Sequence, residues 1–167
     1  MKKVILLVVT CAVLISLVAG STVMAAGKPN AELYLYEKDP STWEIVEDGA
    51  RGKLKYNLCG DEFEYGFNGH GLESNTDYSL IYYPEPRETW PWGVTVIDGG
   101  TANNGGNINL SGSVDLNRDL TNPEEGGTKI WLVLTADINV SKQLEGWNPT
   151  KYLFENNLIT YYDTNIQ

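Results

Sequence analysis

The sequence predicts an all-β fold: an antiparallel β-sandwich of about eight or nine short strands, with one short helix near residues 148–156. Three observations carry the prediction. Short runs alternate apolar and polar residues with a period of two, as half-buried strands do. Turn residues recur every ~8–12 positions between those runs. The segment KIWLVLTADI (129–138) opens on a continuous apolar run, the pattern of a central strand covered on both faces.

Taken in order, AELYLYEK (31–38) puts Leu33 and Leu35 on one face and Tyr34 and Tyr36 on the other. WEIVEDGARG closes on Asp48-Gly49, a turn signal. KLKYNL (53–58) aligns Leu54, Tyr56 and Leu58, and EFEYGFNG (62–69) aligns Phe63, Tyr65 and Phe67. YSLIYY (78–83) and GVTVID (93–98) bracket a stretch rich in Pro and Trp. NINLSGSVDL (107–116) follows the Gly/Asn-rich turn GGTANNGGN, and LITYYDT (158–164) is the last strand. In EGWNPTKYLFENN, Asn148 is placed to cap a helix of roughly two turns. Pro149 would hold its first position, where a missing N–H costs nothing.

Met1-Lys2-Lys3 precedes an uncharged stretch that runs to Gly27 and ends in small residues, the layout of a secretory signal peptide. Residues 1–25 are read as that peptide, with cleavage after Ala25 or Ala26, and residues 28–167 as one β-sandwich domain. The alternative is an uncleaved anchor, because residues 4–26 at ~1.5 Å per residue just cover a bilayer core of roughly 30 Å. Either way the rest is exported, secreted or held at the cell surface. The chain carries 22 acidic and 12 basic residues, a net charge of −10; losing Lys2 and Lys3 takes it to −12. Such a surface repels phosphates and anionic headgroups. Nucleic acid is therefore not an expected partner, whereas a glycan or another envelope protein is; a membrane is met only through residues 4–26. Only Cys59 survives cleavage, read as a small buried apolar residue. Roughly 140 residues can bury about two-thirds of their unfolded surface without a disulfide.

GLESNTDYSLIYY (71–83) resembles the Leu-x-x-x-Thr-x-Tyr corner of fibronectin type III and other immunoglobulin-like domains. The resemblance implies an immunoglobulin-like sandwich in which Leu72 plugs the core, Asn75-Thr76 shape the turn and the Tyr78 hydroxyl bonds back to backbone. Roughly four strands follow the corner here against about one in fibronectin type III domains, so the resemblance extends to the corner and the sandwich class, not to the topology. Over most of residues 31–164, on AELYLYEKDPSTWEIV, FNGHGLESNTDYSLIYY, KIWLVL and GWNPTKYLFENNLITYYDT, the chain also resembles a family of exported, largely archaeal, single-domain β-sandwich proteins. That likeness implies a small exported all-β domain and brings no activity with it.

Few residues invite chemistry. The single histidine, His70, lies in the Gly-rich FNGHGL and is read as a turn residue. No Gly-x-Ser-x-Gly elbow, His-Glu-x-x-His pair or phosphate-cradling loop is present, and a Cys–His pair would need Cys59 from within a strand. A hydrolase built on two carboxylates stays an alternative, one that needs an acid pair in a cleft. No cofactor is expected. Asp115, Asn117 and Asp119 share the spacing that starts a calcium loop, which makes calcium a candidate ligand. The pattern then departs from that loop, with Leu120 at the sixth position and Gly126 at the twelfth; a solvated polar loop with Asx turns explains the same residues. Asn109-Leu-Ser111 and Asn139-Val-Ser141 match the glycosylation acceptor pattern, so Asn109 and Asn139 are candidate sites.

YYPEPRETWPWG (82–93) holds the strongest candidate for binding. Pro84, Pro86 and Pro91 keep it out of a ladder. Tyr82, Tyr83, Trp90 and Trp92 then form a flat aromatic surface that suits a sugar face or anchors a protein contact, or else the indoles fold back as a lid over an open edge. Trp43 and Trp147 are read as core or lid residues and Trp131 as core. The expected function is an exported interaction module of the cell envelope without catalytic activity. The alternatives are a carbohydrate-binding module using Trp90 and Trp92, and a secreted hydrolase.

Overall fold

The computed structural model describes residues 29–83, 89–120 and 128–166. Residues 1–28, where the leader is expected, and Pro84, Pro86 and Gly126 lie outside the described residues. Among the described residues there are twelve strands: β1 Asn30–Tyr36, β2 Arg51–Asn57, β3 Cys59–Gly60, β4 Phe63–His70, β5 Asp77–Tyr83, β6 Trp92–Gly93, β7 Thr95–Thr101, β8 Ile108–Val114, β9 Lys129–Leu134, β10 Gln143–Leu144, β11 Leu153–Glu155 and β12 Tyr162–Asp163. Eight of them form one sheet in the order β7-β5-β9-β11-β1-β2-β4-β8. Every neighbouring pair in it is antiparallel. Among the described residues no helix is long and apolar enough to cross a membrane.

The two edges of this sheet, β7 and β8, are consecutive in the chain and joined by residues 102–107. So short a link forces the sheet to roll until its edges meet. A Cβ added at Gly100 of β7 would lie 2.9 Å from Leu110 Cδ2 of β8, and the Tyr65 hydroxyl of β4 reaches past β8 to the Asp98 carboxylate of β7. The result is an antiparallel sheet nearly closed into a barrel, where the sequence led us to expect two packed sheets.

Alternation fills the interior. Leu33 and Leu35 of β1, Leu54 and Tyr56 of β2, Phe63 and Phe67 of β4, Tyr78, Leu80 and Tyr82 of β5, and Ile130 and Leu132 of β9 all enter one cluster. Tyr34 faces out and is exposed. A second cluster lies on the outer face of β5, β9 and β11, built on Ile81, Tyr83, Trp131, Val133 and Phe154. These three strands are thus covered on both sides, as the continuous apolar run of β9 predicts.

Leu72 is buried, Asn75 takes a φ of 56°, and the Tyr78 hydroxyl accepts the Glu73 N–H at 3.2 Å. The predicted helix at 148–156 is not formed. A single 3₁₀ turn, Pro149–Lys151, is followed at once by β11. Asn148 makes no side-chain cap, and its Nδ2 donates to both carboxylate oxygens of Asp137. Leu153 and Phe154 then alternate between the two clusters, so β11 fills the place between β9 and β1. The C-terminal segment contributes only Tyr162–Asp163, paired in parallel with β3, and bridges at Ile159 and Tyr161.

Candidate functional site

All five tryptophans gather on the outer face of β5, β9 and β11. Trp131 is the floor, 4 % exposed, with Tyr83 stacked on it at 4.5 Å and Phe154 edge-on at 5.1 Å. Trp92 lies over Tyr83 at 5.2 Å, and Trp90 stands edge-on to Trp92 at 4.9 Å. Trp147 meets Trp92 at 5.8 Å, Trp131 at 6.1 Å and Phe154 at 6.2 Å. Trp43 packs on Phe154 at 4.8 Å. The rings form a continuous strip in which Trp43, Trp90 and Trp147 keep 45, 48 and 42 % of their surface exposed.

Each exposed indole is presented by a tight local structure. Asp39 Oδ1 accepts the Ser41 N–H at 2.7 Å, the Ser41 hydroxyl at 2.5 Å and the Thr42 N–H at 3.2 Å. These bonds, the Ser41 hydroxyl first, hold the Asp39 carboxyl below its ordinary pKa and fix the turn that carries Trp43 at a φ of 63°. Trp90 precedes Pro91 across a cis peptide bond. Trp147 follows β10, whose pairing sets Leu144 opposite Trp92 and Gln143 opposite Gly93. Ser41, Thr42, Glu44, Glu145 and Asn148 supply exposed polar groups along the strip.

The four aromatic residues of the 82–93 candidate do not share one surface. Tyr82 points into the barrel and Tyr83 lies buried beneath Trp92. Consecutive strand residues face opposite ways, so this pair cannot stand on one platform. Only Trp90 and part of Trp92 reach the surface. Trp43 and Trp147, read from sequence as core or lid, supply the rest. The signal that could have found them is turn chemistry: Asp-Pro-Ser-Thr precedes Trp43, and Gly146 and Asn148-Pro149 flank Trp147.

Beside the strip, burial pushes the Glu155 carboxyl above its ordinary pKa, with Lys129 and Lys38 opposing the shift. The Trp131 indole nitrogen and Glu155 Oε2 are buried and lie close together without completing a hydrogen bond. Across the barrel, a shallow concavity of about 820 Å³ lies over β1, β2, β4 and β8, lined by residues that include Glu32, Lys55, Glu64 and Gly66. The exposed Glu32 is drawn below its ordinary pKa by Lys53, at 2.8 Å.

The remaining candidates are placed as follows. Asp115 accepts the Asn117 N–H at 2.8 Å, Asp119 the Asp163 N–H at 2.8 Å, and Asp163 the Arg118 N–H at 3.2 Å. Their carboxylates tie two chain segments together, and among the described residues no group of three or more His, Cys, Asp or Glu side chains is arranged to hold a metal ion. His70 is exposed, its Nδ1 2.7 Å from Asn107 Oδ1. Cys59 is free, half-buried and paired through its backbone with Tyr162. Asn109 is exposed on β8 opposite Asn68. Asn139 uses its whole amide: Oδ1 accepts the Ser141 and Gln143 N–H groups, and Nδ2 donates to Gln143 and Glu145. Comparison with protein-family models, curated proteins and solved structures returned no match.

Proposed function

We propose that this chain is an exported interaction module that binds outside the membrane through its tryptophan strip and carries no catalytic chemistry of its own. The observation that supports the reading is the convergence of all five tryptophans, from four separate segments, on one face with three indoles left about half exposed. A soluble domain that needed a lid alone would bury them, and exposed indoles in a rigid setting are the usual anchors of recognition. A leader of signal-peptide layout and the acidic surface fit a place in the cell envelope, as does the immunoglobulin-like corner.

A neutral glycan is the second reading, favoured by the hydroxyl, carboxylate and amide groups beside Trp43 and Trp147. Sugar C–H faces would lie on the indoles while those groups take up sugar hydroxyls. The test is a tryptophan-emission titration of the purified protein with a panel of neutral polysaccharides and with isolated cell envelopes. It is repeated for Trp43→Ala/Trp90→Ala. A parent response to polysaccharide that the variant lacks establishes the glycan reading. A response to envelopes alone, again lost in the variant, establishes a protein contact. No response from the parent to either rejects the module.

A further inference from the structure

We infer that Asp137 is the positioning residue of the tryptophan strip, fixing Trp147 in its exposed place. The inference rests on the reading of the strip as a binding face. Asp137 ends the 3₁₀ turn Thr135–Asp137 that follows β9, and it is buried. Its side chain gathers three hydrogen bonds. Asn148 Nδ2 donates to Oδ1 and Oδ2, both at 2.9 Å, and the Tyr152 hydroxyl donates to Oδ2 at 2.5 Å. Its backbone carbonyl accepts two more, from the Glu145 N–H at 2.9 Å and the Gly146 N–H at 3.1 Å.

These partners bracket Trp147 on both sides. Gly146 precedes it and lies so close to the Asp137 carboxylate that any Cβ there would collide with the carboxylate oxygen. Asn148 follows it. Tyr152 closes the bracket, because its hydroxyl also contacts the Gly146 carbonyl at 3.2 Å while its ring lies edge-on to Trp147 at 5.6 Å. A carboxylate held by charge-assisted bonds in a buried setting is a rigid anchor. One residue therefore sets both neighbours of an indole that links Trp92, Trp131 and Phe154.

The test compares Asp137→Asn and the milder Asn148→Ala with Trp147→Phe as reference. Three readouts are taken: near-ultraviolet circular dichroism of the coupled indoles, acrylamide quenching, and the ligand titration described above. Asp137→Asn places an amide donor against the Asn148 donor; Asn148→Ala removes two bonds from an exposed side chain and leaves the barrel untouched. Both variants are expected to reproduce the spectral change of Trp147→Phe and to weaken binding roughly tenfold, the loss of one displaced aromatic anchor. Neither is expected to add to the spectral change when combined with Trp147→Phe. Parent-like spectra and quenching in Asn148→Ala overturn the inference, as does an additive change in the double variant. Should the parent bind nothing, the spectral comparison still decides the role of Asp137 while the binding reading alone falls.

Discussion

Trp92 stands edge-on to Trp147, with ring centroids 5.8 Å apart and planes at 81°. The two belong to segments far apart in the chain, β6 and the loop after β10; β6 pairs with β10, and the two strands lie over β5, β9 and β11. Trp92 also covers Tyr83, whereas Trp90 leans on Trp92 from the solvent side. The same strip thus contains structural and presenting indoles. Trp92→Ala should cost about 2–4 kcal/mol of stability through lost packing, while Trp90→Ala should stay within about 0.5 kcal/mol. Chemical denaturation of the two variants separates them.

Gly146 is required by the Asp137 carboxylate, which occupies the space of its missing side chain. Gly146→Ala should lower stability by about 1–3 kcal/mol, the usual cost of overpacking. Gly66→Ala is the matched control. Gly66 lies in β4 and a Cβ there meets nothing within 4 Å, so the variant's melting temperature should equal or exceed the parent's.

Alkaline pH should destabilise the barrel through half-buried Tyr65 and buried Tyr161. Burial, aided by Asp98, raises Tyr65 to about 12; burial, aided by Asp163, raises Tyr161 to about 12. Folded tyrosines then keep protons that the unfolded chain loses near pH ~10. Their contribution is fully present below that pH and drains as pH climbs toward 12. Melting temperature should hold level up to about pH 9.5 and fall beyond pH ~10, with a shallower fall in Tyr65→Phe.

Glu155 acts in the acid range. Its raised pKa means that the folded state prefers the neutral carboxyl. Stability attached to it is complete below the unfolded value near ~4.3 and is lost as pH rises through the folded value. Glu155→Gln should therefore melt higher than the parent at pH 7 and close to it at pH 4. Equal gains at both pH values would point to packing instead of charge.

Much of the fold is legible in the sequence. Period-two runs place β1, β2 and β4, strand-like runs between turn signals place β5, β7 and β8, and the continuous apolar run of β9 announces its two covered faces. What local patterns do not carry is closure. β7 and β8 read as ordinary neighbours in a hairpin, and nothing in them says that six strands intervene between them in the sheet. β11 is hidden behind Asn148-Pro149, a helix-start signal that yields a single 3₁₀ turn before Leu153 and Phe154 fill the sheet. The strip was half legible for a similar reason. Trp90 and Trp92 flank a proline in one short stretch, whereas Trp43 and Trp147 join them only through Phe154 and Trp92.

The central claim is that the tryptophan strip binds. Its most direct measurement is the dissociation constant of the tightest ligand from the titration panel for the parent and for Trp90→Ala, with melting temperatures recorded on the same samples. Trp90→Ala should bind at least roughly tenfold more weakly, with the melting temperature unchanged within a few degrees. Equal affinity in the two proteins would contradict that claim and leave the indoles as a cover for the outer face of the barrel.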